Sequence, residues 1–243
     1  MNEYYIPDYV HFALEGDTAI FLNLRTDQYS MLVGEQARAF SDLVSRTADS
    51  IQRVIRLERS SQGDQSNTFQ DALLRDLLSN GVLTQNSSTS SDLVPSILPL
   101  PQEALVDRQM HRQEKICAKV FWTFLVSCVV AKLRLSFASI EHTVRAVRRR
   151  KHLRGISKPF EVNEARRLVC LYNRLRPVMP HDYLCLFDSL SLLEFLARHD
   201  CYPNWVFAVQ LEPWGAHCWV QYGTTVFNED LDLARTYLPV MSV

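Results

Sequence analysis

At 243 residues the chain can hold one large domain or two small ones, and its 47% apolar content excludes a disordered polymer. A formal net charge of −1 supplies no global field for nucleic acid or an anionic membrane surface. The six cysteines, at positions 117, 128, 170, 185, 201 and 218, are scattered without a CxxC pair, so their spacing points to neither a metal site nor a disulfide scaffold, and no cofactor is expected.

The opening residues Met1-Asn2-Glu3-Tyr4-Tyr5 lack the basic and apolar regions of a secretory signal, so the expectation is a cytoplasmic protein with reduced thiols. Residues 10–14, 19–24 and 28–33 read as three short strands, separated by the turn signals Glu15-Gly16-Asp17 and Arg25-Thr26-Asp27. Helical spacing follows. Ala37, Phe40, Leu43 and Val44 share one face, and residues 47–50 read as the start of a second helix continued by Ile51, Val54 and Ile55. A polar loop over 60–67 leads to a third helix, with Phe69, Leu73, Leu77 and Leu78 as its apolar stripe. Asn80-Gly81 closes it, the glycine supplying a left-handed C-cap. Three strands followed by three helices is a winged-helix-like arrangement, a shape used for nucleic acid. Residues 1–85, however, carry seven Arg, no Lys and twelve Asp or Glu, and an acidic module is a poor phosphate binder.

Residues 86–102, with Ser87, Ser88, Ser90, Ser91, Pro95, Pro99 and Pro101, read as a linker between a domain over 1–85 and one over 103–243. The second domain begins with helices. Ile116, Val120, Phe121, Phe124, Leu125, Cys128 and Val129 mark one, Phe137, Ile140, Val144 and Val147 another, and residues 162–175 a third. The uncharged run 120–131 is too short to span a bilayer and reads as a buried core helix. Arg148-Arg149-Arg150-Lys151-His152 reads either as a solvated helix end, whose cations suit the dipole, or as a docking patch for an acidic peptide or partner. A helix opening at Cys185, with Leu186, Leu190, Leu193 and Ala197 as its buried stripe, precedes strands over 204–211, 216–222 and 225–228, so the layout is α+β.

The chemistry concentrates at Cys185, His217 and the acids Glu229 and Asp230. A thiol is a weak nucleophile until ionised, and a helix N-terminus and a nearby imidazolium both favour the thiolate. Asp182 is the expected N-cap of the Cys185 helix. His217 is the candidate base, and Glu229 or Asp230 the candidate acid that orients its ring. A two-residue turn at Gly223-Thr224 sets Asp230 opposite His217, and a three-residue turn beginning at Tyr222 sets Glu229 there, so both stay candidates. Strand alternation puts His217, Trp219 and Gln221 on one face and Cys218 on the other, so Cys218 and the remaining cysteines read as structural.

Cys185-Leu186-x-x-Ser189-Leu190-x-Leu192, Ala216-His217-x-Trp219-Val220, Gly223 and Val226-x-Asn228 resemble the transglutaminase-like leader peptidase of lasso peptide biosynthesis, the B protein, a papain-type cysteine peptidase. Ala19-Ile20-Phe21-Leu22-Asn23-Leu24, the next strand with Tyr29, the helix around Phe40 and Asn80-Gly81-Val82-Leu83 resemble the PqqD-like leader-recognition domain, here fused ahead of the peptidase. The resemblance implies a chain that binds the leader of a ribosomally made precursor peptide and cuts behind it. The core would pass to an ATP-dependent, asparagine-synthetase-like macrolactam cyclase, with neither nucleic acid nor membrane as a partner. In that family the leader adds as an extra strand in a groove between the third strand and third helix, which here implies Gln28, Tyr29, Ser30, Met31, Leu32, Phe69, Leu73, Asp76 and Leu77. The family's acid is usually Asp; ungapped counting from His217 places Glu229 at that position. Two other classes stay open: acyl transfer or deamidation by the same triad, and a non-catalytic adaptor that presents the precursor.

Overall fold

The computed structural model describes residues 2–45, 54–57, 64–86, 98–105, 115–154, 161–179 and 184–243. The chain divides into two units, Met1–Pro95 and Ser96–Val243.

In the first unit, β1 (Asn2–Tyr5) pairs antiparallel with β5 (Val54–Leu57), while β2 (Val10–Glu15), β3 (Thr18–Asn23) and β4 (Gln28–Val33) form an antiparallel meander with β3 in the middle. Gly16 and Asp27, both at φ 54°, are the left-handed residues that reverse the chain between these strands. Helix α1 (Glu35–Ser45) lays Ala37, Phe40 and Leu43 on the meander, and the Phe21 and Phe40 rings meet edge-on at 4.9 Å. Helix α2 (Asp64–Ser79) adds Leu73, Leu74 and Leu77 to the same core. Gly81, at φ 68°, lets the chain turn back so that the Val82 N–H donates to the Leu77 carbonyl at 2.9 Å.

Two of the sequence expectations for this unit are corrected. Residues 54–57 are strand β5 rather than the continuation of a second helix; Val54 and Ile55 are β-branched, and β1 offers them a partner strand. Residues 46–53 lie outside the described residues. Helix α2 begins at Asp64, inside the stretch read as a polar loop.

In the second unit a five-stranded sheet runs in the order β10-β7-β8-β9-β6, with β6 (Glu103–Ala104), β7 (Asn204–Gln210), β8 (Gly215–Tyr222), β9 (Thr225–Val226) and β10 (Leu238–Ser242). Helices α3 (Ala118–Phe137), α4 (Ile140–Arg154), α5 (Val162–Leu175) and α6 (Cys185–Ala197) precede β7, and α7 (Leu231–Thr236) lies between β9 and β10. Helix α6 is the central element. It is buried from Ser189 to Ala197 and packs on α3, α5 and β8. Residues 98–102, read as part of the linker, join this unit: the Gln221 side chain donates to the Pro99 carbonyl at 2.9 Å and Arg235 to that of Pro101 at 3.0 Å.

Helix α3 also departs from the sequence reading. It is 20 residues long, includes Phe137, and is buried on one face only, through Val120, Phe124, Ser127, Cys128 and Ala131. Trp122, Val126, Val129, Leu133 and Phe137 line the opposite, exposed face. By length and composition it is apolar enough to cross a membrane; in the fold its inner face packs on α6.

The basic run closes α4 and divides by direction. Arg149, His152 and Arg154 face solvent, as a helix end should. Arg150 and Lys151 turn inward instead. Lys151 bonds Asn204 and, at 3.2 Å, the Val243 carbonyl, and burial lowers its pKa to about 8. Arg150 reaches Glu194 of α6 at 2.7 Å. Glu194 is 1% exposed and also pairs with Arg134 at 3.0 Å and Arg198 at 3.1 Å. Burial works to raise the Glu194 pKa, but the Arg150 hydrogen bond, the Arg150 and Arg134 charges and the Arg198 bond outweigh it and lower it. This ion cluster ties α3 and α4 to the central helix.

Candidate active site

Cys185 is the first residue of α6. The N-cap is Leu184, whose side chain makes no cap bond; the expected cap Asp182 lies outside the described residues. A helix N-terminus carries the positive end of the helix dipole, and Cys185 stands in that first turn. Asp188, one turn in, pairs with the buried Arg176, which fixes the residues after α5 against the start of α6.

Strand β8 brings two residues to the thiol. His217 and Cys218, adjacent on that strand, both favour the ionised form of Cys185. The Cys218 part of this was not expected. Cys218 does lie on the face opposite His217, but that face meets α6, and its Sγ stands 3.2 Å from Ser189 Oγ, one turn into the helix. Ser189 Oγ donates to the Cys185 carbonyl at 2.6 Å and accepts from Trp205 Nε1 at 2.8 Å. Sequence spacing carried a trace of this shell, since Ser189 follows Cys185 by four residues on one helix face.

The two candidate acids separate. His217 Nε2 meets Glu229 Oε2 at 2.5 Å, with the two side chains 17% and 19% exposed. That bond leaves Nδ1 for the thiol. The other Glu229 oxygen accepts the Asp230 N–H at 2.9 Å. Asp230 is exposed and caps α7, accepting from the Asp232 and Leu233 N–H groups. The turn at Gly223-Thr224 has two residues, the geometry expected to favour Asp230, yet Glu229 takes the histidine. The ladder ends first. Phe227 N–H still donates to the Val220 carbonyl, but then the Asn228 side chain replaces main chain by accepting the Val220 N–H at 2.8 Å. Beyond Asn228 the chain leaves the sheet for α7, so register no longer predicts what faces His217. The Tyr237 ring, 5.3 Å from the imidazole, and the Trp219 ring, at 6.2 Å, flank it.

The electrostatics distinguish Cys185 from other thiols. Hydrogen bonds from Cys218 and His217, with the His217 charge, outweigh burial and lower the Cys185 pKa to about 4. Burial lowers the His217 pKa, but its bonds to Cys185 and Glu229 and their charges outweigh this and raise it to about 9. Burial would raise the Glu229 pKa; the His217 and Asp230 hydrogen bonds lower it. Burial instead pushes Cys128 up to about 11, Cys201 up to about 12 and Cys218 well above the usual thiol range. With the Cys185 pKa lowered to about 4 and that of His217 raised to about 9, the two form a thiolate–imidazolium pair at neutral pH, and the Glu229 carboxylate bonds the imidazole. Such an arrangement attacks an acyl carbon and protonates the group that leaves.

Residues 125–242 match the family model of the transglutaminase-like superfamily. The second unit is thus a transglutaminase-like domain, and the matched stretch contains Cys185, His217 and Glu229. The superfamily typically comprises cysteine-type enzymes of papain-like fold, which supports a general catalytic role for this unit. The comparisons with curated proteins and with solved structures gave no match.

The residues implied for leader binding fall into two groups. Leu32, Leu73 and Leu77 are buried in the core of the first unit. Gln28, Ser30, Met31 and Asp76 are exposed, Tyr29 and Phe69 half-buried, and β4 is an outer strand of its sheet. Among the described residues no group of three or more His, Cys, Asp or Glu is placed to hold a metal ion.

Proposed function

We propose that the chain is a cysteine leader peptidase of lasso peptide maturation. It binds the leader of a ribosomally made precursor through its first unit, cuts behind that leader with its second, and passes the core to an asparagine-synthetase-like macrolactam cyclase in the cytoplasm. The observation that carries the reading is the Cys185–His217–Glu229 line at the start of α6. The Cys185 thiolate attacks the scissile carbonyl and forms a thioester to the leader. His217 gives its proton to the nitrogen that leaves, so the core departs with a free amine. His217 then takes a proton from water, which cleaves the thioester and releases the leader as a carboxylate. Glu229 holds the imidazole in the required tautomer throughout. For the leader, the outer strand β4 offers a main-chain edge to an added strand.

The superfamily match supports a second reading equally at the thioester step: transfer of the acyl group to an amine, or deamidation of a glutamine. The two are separated by incubating the full chain with a synthetic precursor, and separately with a glutamine peptide and a labelled primary amine. Mass spectrometry that finds leader and core fragments supports the peptidase; amine incorporation without precursor cleavage replaces it with acyl transfer.

A further inference from the structure

Helix α3 carries an outer face that the catalytic site does not use. Trp122, Val126, Val129, Leu133 and Phe137 are between 45% and 84% exposed. At about 100° per residue the five fall within a sector of about 80°, and they run about 22 Å along the helix. Half-buried Leu125 and Val130 widen the stripe on either side. The inner face is pinned: Phe124, Cys128 and Ala131 are fully buried, and Arg134 pairs with Glu194 of α6 at 3.0 Å. A helix held in this way lies along an apolar surface rather than through one.

Two observations choose the occupant. The first is charge. Between Glu114 and Glu141 the sequence has no acidic residue, and it carries Lys115, Lys119, Lys132 and Arg134. With Arg134 directed at Glu194, exposed Lys119 and Lys132 flank the stripe. Their long stems let the ammonium groups reach past an apolar layer to anions at its rim. A second copy of the same face brings further lysines and no carboxylate to meet them. The second observation is hydrogen bonding. A protein interface makes about one hydrogen bond per 100–200 Å². This face offers little for one, since the Thr123 hydroxyl at its border donates back to the Lys119 carbonyl at 2.8 Å. Acyl chains require none. A net charge of −1 gives the whole chain no long-range attraction, so the attraction is local to α3.

We propose that α3 docks in the plane of an anionic lipid surface, with Trp122, Val126, Val129, Leu133 and Phe137 among the acyl chains and Lys119 and Lys132 at the phosphates. This replaces the expectation, implied by the resemblance, of no membrane partner. It does not rest on the peptidase reading, because the test does not measure catalysis.

The full chain is sedimented with phosphatidylcholine vesicles with and without about 25% phosphatidylserine, at low and high salt. Binding should require phosphatidylserine and weaken with salt. The double variant Val126→Gln/Val129→Gln should bind at least about tenfold more weakly, because each valine loses its apolar burial. Lys119→Gln/Lys132→Gln should lose about fivefold per charge. Leu100→Gln, an exposed apolar position outside α3, should bind as wild type. Circular dichroism checks the fold of each variant, and light scattering without vesicles gives the oligomeric state. Wild type that fails to sediment with phosphatidylserine vesicles, binds neutral vesicles equally, or binds unchanged in the folded α3 variants overturns the proposal. A wild-type dimer that Val126→Gln/Val129→Gln converts to monomer also overturns it and gives the face to a second copy.

Discussion

Replacing Glu229 with glutamine removes the charge behind His217 while keeping the side chain's length. The bond is 2.5 Å long and both side chains are more than four-fifths sheltered, so solvent screening discounts it little. A hydrogen bond to a charged group contributes about 1.5–3 kcal/mol, or about one to two pKa units at 1.36 kcal/mol per unit. The His217 value should therefore fall from about 9 to roughly 7–8. Because the imidazolium is the form that protonates the leaving nitrogen, activity is lost as pH rises through that value, and the upper limb of the pH profile should move down with it. Loss of the orienting carboxylate should also cost about 10²-fold or more in kcat. Asp230→Asn is the control. Asparagine caps a helix about as well as aspartate, so α7 should hold and kcat should stay near wild type. The assay is cleavage of a synthetic precursor from pH 4 to pH 10. An upper limb that stays at about 9 in Glu229→Gln, or an equal loss in Asp230→Asn, refutes the assignment of the acid.

Other outcomes follow from the same structure. Glu194→Gln leaves Arg134, Arg150 and Arg198 around a buried neutral amide and should cost about 3–5 kcal/mol, lowering the melting temperature by roughly 10 °C. In wild type the folded Glu194 pKa lies below the unfolded one, so its contribution is complete above about pH 5 and fades as pH falls through the folded value. Thermal melts against pH should show that acid loss in wild type and a flatter curve in Glu194→Gln. Labelled leader peptide should bind the full chain saturably, and a charge-neutral substitution at Met31 on the outer strand should weaken binding without altering hydrolysis of a short substrate lacking the leader; no saturable binding to folded protein returns the first unit to a structural role.

The helical elements that carry the site were legible because their patterns are long. Residues 162–175 have an uninterrupted apolar stripe and coincide with α5, and the Cys185 helix is present, with Leu184 rather than Asp182 as its N-cap. Strands β2, β3 and β4 were legible from alternation and turn residues. Short apolar runs were not. Val54-Ile55 fits helix or strand equally, and its partner β1 lies fifty residues away in sequence. The length of α3 was hidden by Lys132 and Arg134, which interrupt the apolar run without interrupting the helix. Glu229 and Asp230 could not be separated because the deciding event is a side-chain substitution by Asn228 in the ladder, a tertiary detail without a periodic signature. Alternation gave the face of Cys218, but not that this face meets α6 at Ser189.

The central claim, that Cys185 forms a thioester to the leader, is tested most directly by intact-protein mass spectrometry of the full chain mixed with precursor and quenched in acid. The account predicts a transient species heavier by the mass of the leader acyl group, mapped to Cys185, followed by free leader and core, and none of these from Cys185→Ala. Cleavage by Cys185→Ala within about tenfold of the wild-type rate contradicts it, since loss of a nucleophile costs several orders of magnitude.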